Sequence, residues 1–133
     1  DVRLDKHQQN AKQIAKFLST KKNIEVLYPL RKNSKNYKLW NKYYTGSSGL
    51  MGIKITAKIK KSVDKFVNSL KLFGHGYSWG GYESLALHQE IKEQGKRKFL
   101  KLKKNEHIVR LHIGLEDSND LIQDLRKSLK FIK

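Results

Sequence analysis

The stretch HIVRLHIG, residues 107–114, carries the clearest structural pattern in this sequence. Val109, Leu111 and Ile113 recur at every second position, which is typical of a strand that buries one face. Asp117 then stands where a helix N-cap is expected, and apolar residues follow at helical spacing. This apolar stripe consists of Leu121, Ile122, Leu125, Leu129 and Ile132. The last third of the chain therefore predicts a strand followed by a terminal helix.

The rest of the chain divides into short elements of both types. Charge without periodicity predicts a solvated loop or a poorly ordered excursion over residues 88–106, whose lysine-rich part spans residues 90–105. Before this loop, the sequence predicts a helix over residues 1–20, a strand in NIEVLYPL (23–30), a helical turn in YKLWNKYY (37–44), a strand in LMGIKITAKI (50–59), a helix marked by Val63, Phe66, Val67 and Leu70, and an extended segment in LFGHGYSW (72–79).

These elements and the length of the chain define the expected fold. With 133 residues, the chain is large enough for one domain with its own core and too short for two of ordinary size. Together the elements predict an α/β fold of the two-layer α+β kind, with a small mixed or antiparallel sheet and helices packed against it. Residues 1–133 are therefore expected to form a single domain.

The chain is strongly basic, with a net charge of +17 and a pI near 10.1. Taken alone, such a charge indicates an anionic partner such as nucleic acid. However, the 29 basic residues include only five arginines, and arginine is the residue that binds base edges and phosphates bidentately. We therefore favour lysine accumulation by compositional drift over a selected electrostatic function, and we expect the lysine clusters to be a solvated face.

The composition and two polar patterns exclude or disfavour several kinds of site. The absence of cysteine excludes thiol nucleophiles, disulfides and cysteine-based metal centres. The five histidines are scattered, so no metal site is expected. TGSSG, residues 45–49, lacks the Lys-Ser/Thr of a phosphate-binding loop and is expected to be a turn. For the carboxylates Asp117, Asp120 and Asp124, capping of a helix start is the favoured explanation.

The sequence also bears on where the protein works. No window approaches the roughly eighteen consecutive apolar residues of a membrane span. The first residues, DVRLDKHQQN, include neither a starting methionine nor the apolar core of a signal peptide. A cytoplasmic protein without a membrane partner, or a piece of one, is expected.

Arg110 is the first candidate for a binding residue. A guanidinium in the middle of an apolar strand must reach water or a partner, because burying it alone is prohibitive. One explanation is a structural ion pair with Glu83 or Glu116. The other is a two-pronged grip on the carboxylate or phosphate of a ligand. The residues alone leave both explanations open.

The stretch GYSWGGYES, residues 76–84, is the second candidate. Its adjacent glycines permit a tight turn, which is the favoured explanation, and also a close approach to a ligand. Ser78 offers a hydroxyl and Trp79 an indole N–H, which suit the rim of a pocket whose charge comes from Arg110. The remaining aromatic residues of the stretch are expected to pack, namely Tyr77 and Tyr82.

Five segments, taken in order, resemble the C-terminal domain of the pyridoxal-phosphate (PLP) enzymes of cysteine and methionine metabolism. The resemblance covers nearly the whole chain, fails in the lysine-rich stretch, and implies the fold of the C-terminal domain of fold-type I PLP enzymes. The segments are the N-terminal helix with NIEVLYPL, then KLWNKYYTGSSGLMGIKI, the helix before LFGHGYSWGG, the stretch GYSWGGYESLA, and IVRLHIGLEDSNDLIQDL.

The resemblance implies roles for three residues. Ser78 and Trp79 are similar to residues that line the substrate pocket, and Arg110 is similar to the arginine that binds the substrate's α-carboxylate. The Tyr77-Ser78-Trp79 turn resembles the beta-lyase branch, which eliminates homocysteine from L-cystathionine and leaves pyruvate and ammonia. The implied activity is that of a carbon–sulfur lyase acting on amino-acid thioethers, in transsulfuration and methionine biosynthesis.

The resemblance also implies a part that this sequence does not contain. In the family, a larger N-terminal domain binds PLP and supplies the Schiff-base lysine, and these motifs are not found here. We therefore expect no catalytic or cofactor-binding residue in this chain, negligible activity alone, an N-terminal PLP domain as partner, and a homotetramer in the full enzyme. The alternative is a non-catalytic basic module that binds RNA or an acidic surface.

Overall fold

A computed structural model describes residues 2–91 and 101–132 of the chain. Its helices are α1 (Val2–Leu18), α2 (Tyr37–Tyr43), α3 (Lys60–Asn68) and α4 (Ser118–Ser128), followed by a 3-10 turn at Leu129–Phe131. Its strands are β1 (Ile24–Leu27), β2 (Leu50–Thr56), β3 (Phe73–His75), β4 (Ser84–Gln89) and β5 (Glu106–His112). They form one sheet in the order β1-β2-β5-β4-β3, in which only β3 and β4 are parallel. The predicted mixed sheet with helices is confirmed.

The hydrophobic core lies between one face of the sheet and the three longer helices. The predicted face of β5 is confirmed, because Val109 and Leu111 are fully buried there beside Ile53 of β2. Helices α1, α3 and α4 cover this face with Ile14, Leu18, Phe66, Leu121 and Leu125. Burying each such side chain stabilises the fold by roughly 1.5–3 kcal/mol. No helix in the described ranges has the length and apolar character needed to cross a bilayer.

Strand β4 corrects the prediction for the segment that follows residue 87. His88 and Gln89, expected to open a solvated loop, are the last residues of this strand and pair with β5. The preceding residues Leu85 and Ala86 are both buried, so the strand shows no alternation that could mark it. The predicted loop falls partly on residues 92–100, which lie outside the described residues.

Two aspartates near α4 have different partners. The N-cap prediction for Asp117 is confirmed, because its carboxylate accepts from the backbone N–H of Asn119 and of Asp120. Asp124 does not serve the helix start. It is buried within α4 and accepts from the backbone N–H groups of Lys71, at 2.9 Å, and of Leu72, at 2.8 Å. The carboxylate thus fixes the turn that enters β3.

The Asp124→Asn substitution tests this contact. The amide oxygen can take the place of Oδ2 and still accept from both N–H groups, but it carries no charge and binds them more weakly. The amide NH2 group then faces the Lys71 N–H from the place of Oδ1, which lies 3.1 Å from the Lys71 nitrogen. We expect the free energy of unfolding to fall by about 2 kcal/mol, measured by urea denaturation. Asp120→Asn, at an exposed position of the same helix, is the matched control and should change it by less than about 0.5 kcal/mol. Equal effects of the two substitutions would contradict the assignment.

Candidate active site

Residues 76–83 form the loop between β3 and β4, and these strands are parallel neighbours. Parallel neighbours usually need a connection of a dozen or more residues, because the chain must return to the starting edge. Gly80 has a φ of +83°, a left-handed conformation that costs glycine little and is the only positive φ among the described residues. The need to reverse within a short loop accounts for Gly80 in GYSWGG, but it does not account for Gly81, whose φ is not positive.

Arg110 holds the first half of this loop. It lies on the face of β5 opposite the core, and its Nη2 donates to the carbonyl of Gly76 at 2.9 Å and that of Ser78 at 3.4 Å. The N–H donors on its Nε and Nη1 have no hydrogen bond to any described residue. The structure does not show the alternative ion pair with Glu83 or Glu116, since no ion pair within residues 2–91 and 101–132 includes Arg110.

His112 holds the second half of the loop. It is two residues beyond Arg110 on the same face of β5, and only 2% of it is exposed. Its Nε2 lies 3.2 Å from the backbone nitrogen of Gly80 and 3.1 Å from the carbonyl oxygen of Gly81. The ring of His7, in α1, lies against it with centroids 5.0 Å apart. Arg110 and His112 thus bind successive backbone groups of one loop.

The far end of the loop is held by the turn that follows β5. Glu116 accepts from the backbone N–H of Ser84 at 2.7 Å and from its hydroxyl at 2.8 Å. The same hydroxyl accepts from the backbone N–H of Gly114 at 2.8 Å, and the Tyr82 carbonyl accepts from the N–H of Leu115. Glu116 is therefore a structural anchor of the loop.

The side chains on the outside of the loop are exposed. Trp79, predicted to line a pocket, is 65% exposed and borders a cavity of about 390 Å³. Leu4 and Leu50, both at least one-third exposed, line the same cavity. The expectation that the two tyrosines of the loop pack is wrong, because Tyr77 is 78% and Tyr82 73% exposed. These residues project from a loop whose backbone contacts leave their side chains outside.

Arg110 contacts the loop that carries the other two predicted site residues, but neither Arg110 nor Ser78 lines the cavity beside Trp79. Ser78 and Trp79 belong to the loop that Arg110 binds, although Ser78 contacts the guanidinium through its backbone carbonyl. Sequence reasoning missed His112 and Glu116 as supports of this loop. The alternation that defined β5 had already put His112 on the face of Arg110, so a signal for it existed. Nothing in the sequence pattern indicated the partner of Glu116.

The segment TGSSG, expected to be a turn, is irregular chain between α2 and β2. Its polar groups are engaged within the fold. The backbone N–H of Ser47 donates to the Gln8 side chain at 2.8 Å, and the carbonyl of Gly46 accepts from the indole N–H of Trp40 at 2.9 Å. These contacts join the start of α1 to α2.

The residues around Arg110 do not fit a complete PLP site. PLP is held through a lysine, with an acidic partner for the ring nitrogen. Among the described residues, no lysine lines the cavity beside Trp79. The nearby carboxylate of Glu116 already binds Ser84 with both oxygens. Around Arg110, the described residues thus offer donors suited to an acidic substrate and no lysine at the cavity beside Trp79.

Comparison with known proteins places the chain in a family. Residues 1–130 match the family model for PLP-dependent enzymes of Cys/Met metabolism. The chain therefore belongs to this family of PLP-dependent enzymes, as the resemblance of its motifs predicted.

The relatives of this chain differ from one another in activity. Over 132 residues the chain is 36% identical to the cystathionine beta-lyase MetC of Escherichia coli, covering 93% of this chain and 32% of that protein. Over 136 residues it is 34% identical to the cystathionine gamma-lyase of Mus musculus, covering 97% of this chain and 33% of that protein. The chain thus spans about a third of the length of these curated relatives.

A solved structure supports the same assignment. The cystathionine gamma synthase of Xanthomonas oryzae pv. oryzae, in complex with aminoacrylate and cysteine, matches with a TM-score of 0.81 and 27% identity. The match covers 98% of this chain and 35% of that protein. Lyases and a synthase of cysteine and methionine metabolism therefore share this domain fold.

The histidines of β5 make stability depend on pH. The pKa of His112 lies below its ordinary value of 6.5, chiefly because burial disfavours the charged ring, and burial lowers the pKa of His107 as well. As the pH falls below 6.5, the unfolded chain binds these protons first, so the free energy of unfolding decreases. We expect urea midpoints to be constant above about pH 7.5 and to fall toward about pH 5. His112→Gln should flatten this fall, and an unchanged slope would contradict the assignment.

Proposed function

We propose that residues 1–133 are the C-terminal substrate-binding domain of a PLP-dependent carbon–sulfur lyase of the cystathionine beta-lyase type. One observation carries the proposal: Arg110 is anchored through Nη2 while the donors on Nε and Nη1 have no partner in the described part of the chain. A guanidinium in this state is suited to a carboxylate, because its planar fork offers parallel N–H groups. The choice of this branch rests on the Tyr77-Ser78-Trp79 turn, because the identities to a beta-lyase and to a gamma-lyase, 36% and 34%, do not separate the two.

The surroundings of Arg110 suit an amino-acid substrate. Gly52 stands directly opposite Arg110 in β2 and has no side chain, and the Leu27 side chain lies 3.5 Å from the place a Cβ would take there. Leu87 stands opposite it in β4 and offers apolar surface. We propose that Arg110 binds the α-carboxylate and that Ser78 and Trp79 line the path of the thioether chain. A fixed carboxylate orients the Cα–H bond of the substrate, and orientation of this kind is a large part of catalysis.

The proposed reaction is β-elimination from L-cystathionine. The proton leaves Cα, the Cβ–S bond breaks with its electron pair on sulfur, and the thiolate takes up a proton as homocysteine. Water then converts the remaining fragment to pyruvate and ammonia. PLP, held by a region outside residues 1–133, supplies the electron sink for this chemistry. We propose that this region forms an N-terminal domain, that the full enzyme is a homotetramer, and that residues 1–133 alone are inactive.

The product of cystathionine cleavage distinguishes a beta-lyase from a gamma-lyase. The chain is mixed with PLP and the cofactor domain of a family member, and the absorbance is recorded before and after borohydride reduction. Pyruvate that forms only in the mixture supports the proposal. Release of 2-oxobutyrate instead would assign a gamma-lyase, because it requires the Cγ–S bond to break. Bound cofactor without either product would overturn the proposed activity.

A second candidate function rests on the surface around α2. The chain has no acidic residue from residue 26 to residue 63, and none of the described ion pairs includes the five cations that precede and occupy α2. Exposed Leu39, Tyr43 and Tyr44 lie among them. Cations beside exposed rings are suited to single-stranded nucleic acid. The five cations are Arg31, Lys32, Lys35, Lys38 and Lys42.

A salt series separates this candidate from the first. Binding to a fluorescent single-stranded RNA should weaken steeply between about 50 and 200 mM salt if phosphate contacts dominate. The double substitution Lys38→Gln and Lys42→Gln should reduce binding, whereas Lys16→Gln and Lys127→Gln should not. Equal binding by both pairs would show that affinity follows net charge alone, and the candidate would be rejected.

A further inference from the structure

The loop that carries Ser78 and Trp79 depends on an imidazole of defined protonation. His112 is buried on the face of β5 that also carries Arg110, and its Nε2 lies within 3.2 Å of both a donor and an acceptor of the loop. The donor is the backbone N–H of Gly80, and the acceptor is the carbonyl of Gly81. No other side chain of the described residues has a hydrogen bond to both of these glycines.

The two partners make opposite demands on the ring. A carbonyl only accepts, so Gly81 requires a proton on Nε2. A backbone N–H only donates, so Gly80 requires a lone pair, which Nδ1 provides at 3.5 Å in the tautomer protonated on Nε2. In the other neutral tautomer, Nε2 accepts from Gly80 at 3.2 Å. Either neutral form binds the Gly80 N–H, whereas an imidazolium, with a proton on both nitrogens, has no lone pair for it.

The charged groups that face His112 also favour the neutral ring on balance. Arg110 is on the same face of β5, and His7 lies against the ring from α1. Arg3, also in α1, lines the same cavity as His112 and donates to the Gly80 carbonyl at 3.5 Å. Glu116, in the turn after β5, acts in the opposite direction, and the strand neighbours opposite His112 are the apolar Leu50 and Leu85. Burial is the largest single cause that lowers the pKa of His112. The fold therefore keeps this ring in the form that can bind Gly80.

We propose that neutral His112 is a positioning residue that sets the conformation of the Ser78–Trp79 turn. The proposal rests on the proposed function for its catalytic consequence, since the turn is there taken to line the substrate path. It does not make His112 a catalytic residue. Protonation, or removal of the ring nitrogens, releases Gly80 and loosens the turn while Arg110 still holds its first half.

Amide hydrogen exchange at Gly80, followed by NMR in the full chain, tests the positioning role directly. His112→Phe keeps a planar aromatic ring, slightly larger and without nitrogens, and should speed exchange at Gly80 roughly tenfold, the effect of losing one hydrogen bond. His112→Gln keeps a donor and an acceptor and should restore protection to within about threefold of the parent chain. His107→Phe, at the other end of β5, is the matched control and should leave Gly80 unchanged. Parent-like protection in folded His112→Phe would overturn the proposal.

If His112→Phe does not fold, a pH titration of the parent chain, followed by NMR, tests the proposal instead. The Gly80 amide shift should follow the same midpoint as the ring protons of His112. A Gly80 amide shift with a different midpoint, or with no pH dependence, would overturn the proposal.

In the PLP-loaded enzyme, His112→Phe should raise KM for L-cystathionine more than it lowers kcat, and His112→Gln should bring KM back toward that of the parent enzyme. If no enzyme containing this chain cleaves the thioether while Gly80 still responds, the proposed function fails and the positioning role stands.

Discussion

Replacement of Arg110 by lysine should lower kcat/KM for L-cystathionine roughly a hundredfold in a PLP-loaded enzyme that contains this chain. The guanidinium has one nitrogen committed to Gly76 and Ser78 and two nitrogens without a described partner. A lysine ammonium is a single point charge and cannot bind the loop and the carboxylate in the same geometry. Steady-state kinetics measure this effect, and the PLP absorbance should be unchanged.

A substrate without the α-carboxylate separates the two roles of Arg110. An S-alkylcysteine and its α-carboxamide are compared in both enzymes. If Arg110 binds the carboxylate, the parent enzyme should be much slower on the carboxamide than on the carboxylate substrate. The Arg110→Lys enzyme should then show only a small difference between the two substrates. If Arg110 only supports the loop, the two enzymes lose the same factor. Arg126→Lys is the control, because this arginine lies in α4 with its guanidinium 5.1 Å from the Phe17 ring.

Replacement of Gly114 by alanine should lower the free energy of unfolding by about 3 kcal/mol, as overpacking of a tight backbone contact does. A Cβ at this position would collide with the Tyr82 carbonyl oxygen and with the Glu116 carboxylate, and would lie 2.7 Å from the Glu83 carbonyl carbon. Two of these atoms are backbone, so the loop itself must move. Urea denaturation measures the loss, and Gly80 should lose exchange protection in parallel.

Gly81→Ala is the matched control for this substitution. The residue lies in the same loop, its φ is not positive, and a Cβ there would meet no atom within 4 Å. We expect a change smaller than about 0.5 kcal/mol. Similar losses at both glycines would mean that the loop is sensitive to any added side chain, and the role assigned to the Gly114 contact would be abandoned.

The sequence predicted those parts of the fold that depend on local periodicity. The alternation of β5, the Asp117 cap and the burial of Leu121 and Leu125 in α4 were confirmed, because each is determined by residues within a few positions of one another. The other end of the predicted stripe was wrong as part of this helix, since Leu129 and Ile132 lie beyond the end of α4. Strand β4 was missed because Leu85 and Ala86 are both buried and leave no alternation. Its parallel pairing with β3 has no local signal either.

The candidate site was predicted only in part, for a related reason. The pattern of β5 identified Arg110, and the composition of the turn identified Ser78 and Trp79. The partners of Arg110 are carbonyl groups 32 and 34 positions away in sequence, and every residue carries a carbonyl. No side-chain pattern can therefore reveal them. The same holds for the contacts of His112 with Gly80 and Gly81.

The loop between β3 and β4 is held almost wholly through its main chain. Its carbonyl and N–H groups form hydrogen bonds with Arg110, His112 and the backbone of Leu115. Its three aromatic side chains take no part in these bonds and are exposed, namely those of Tyr77, Trp79 and Tyr82. The conformation of this loop therefore does not depend on which side chains stand at its three exposed aromatic positions. Substitutions at the three aromatic positions, made one at a time, should therefore leave the backbone contacts of the loop in place. A combinatorial library confined to these positions would sample such substitutions at little risk to folding.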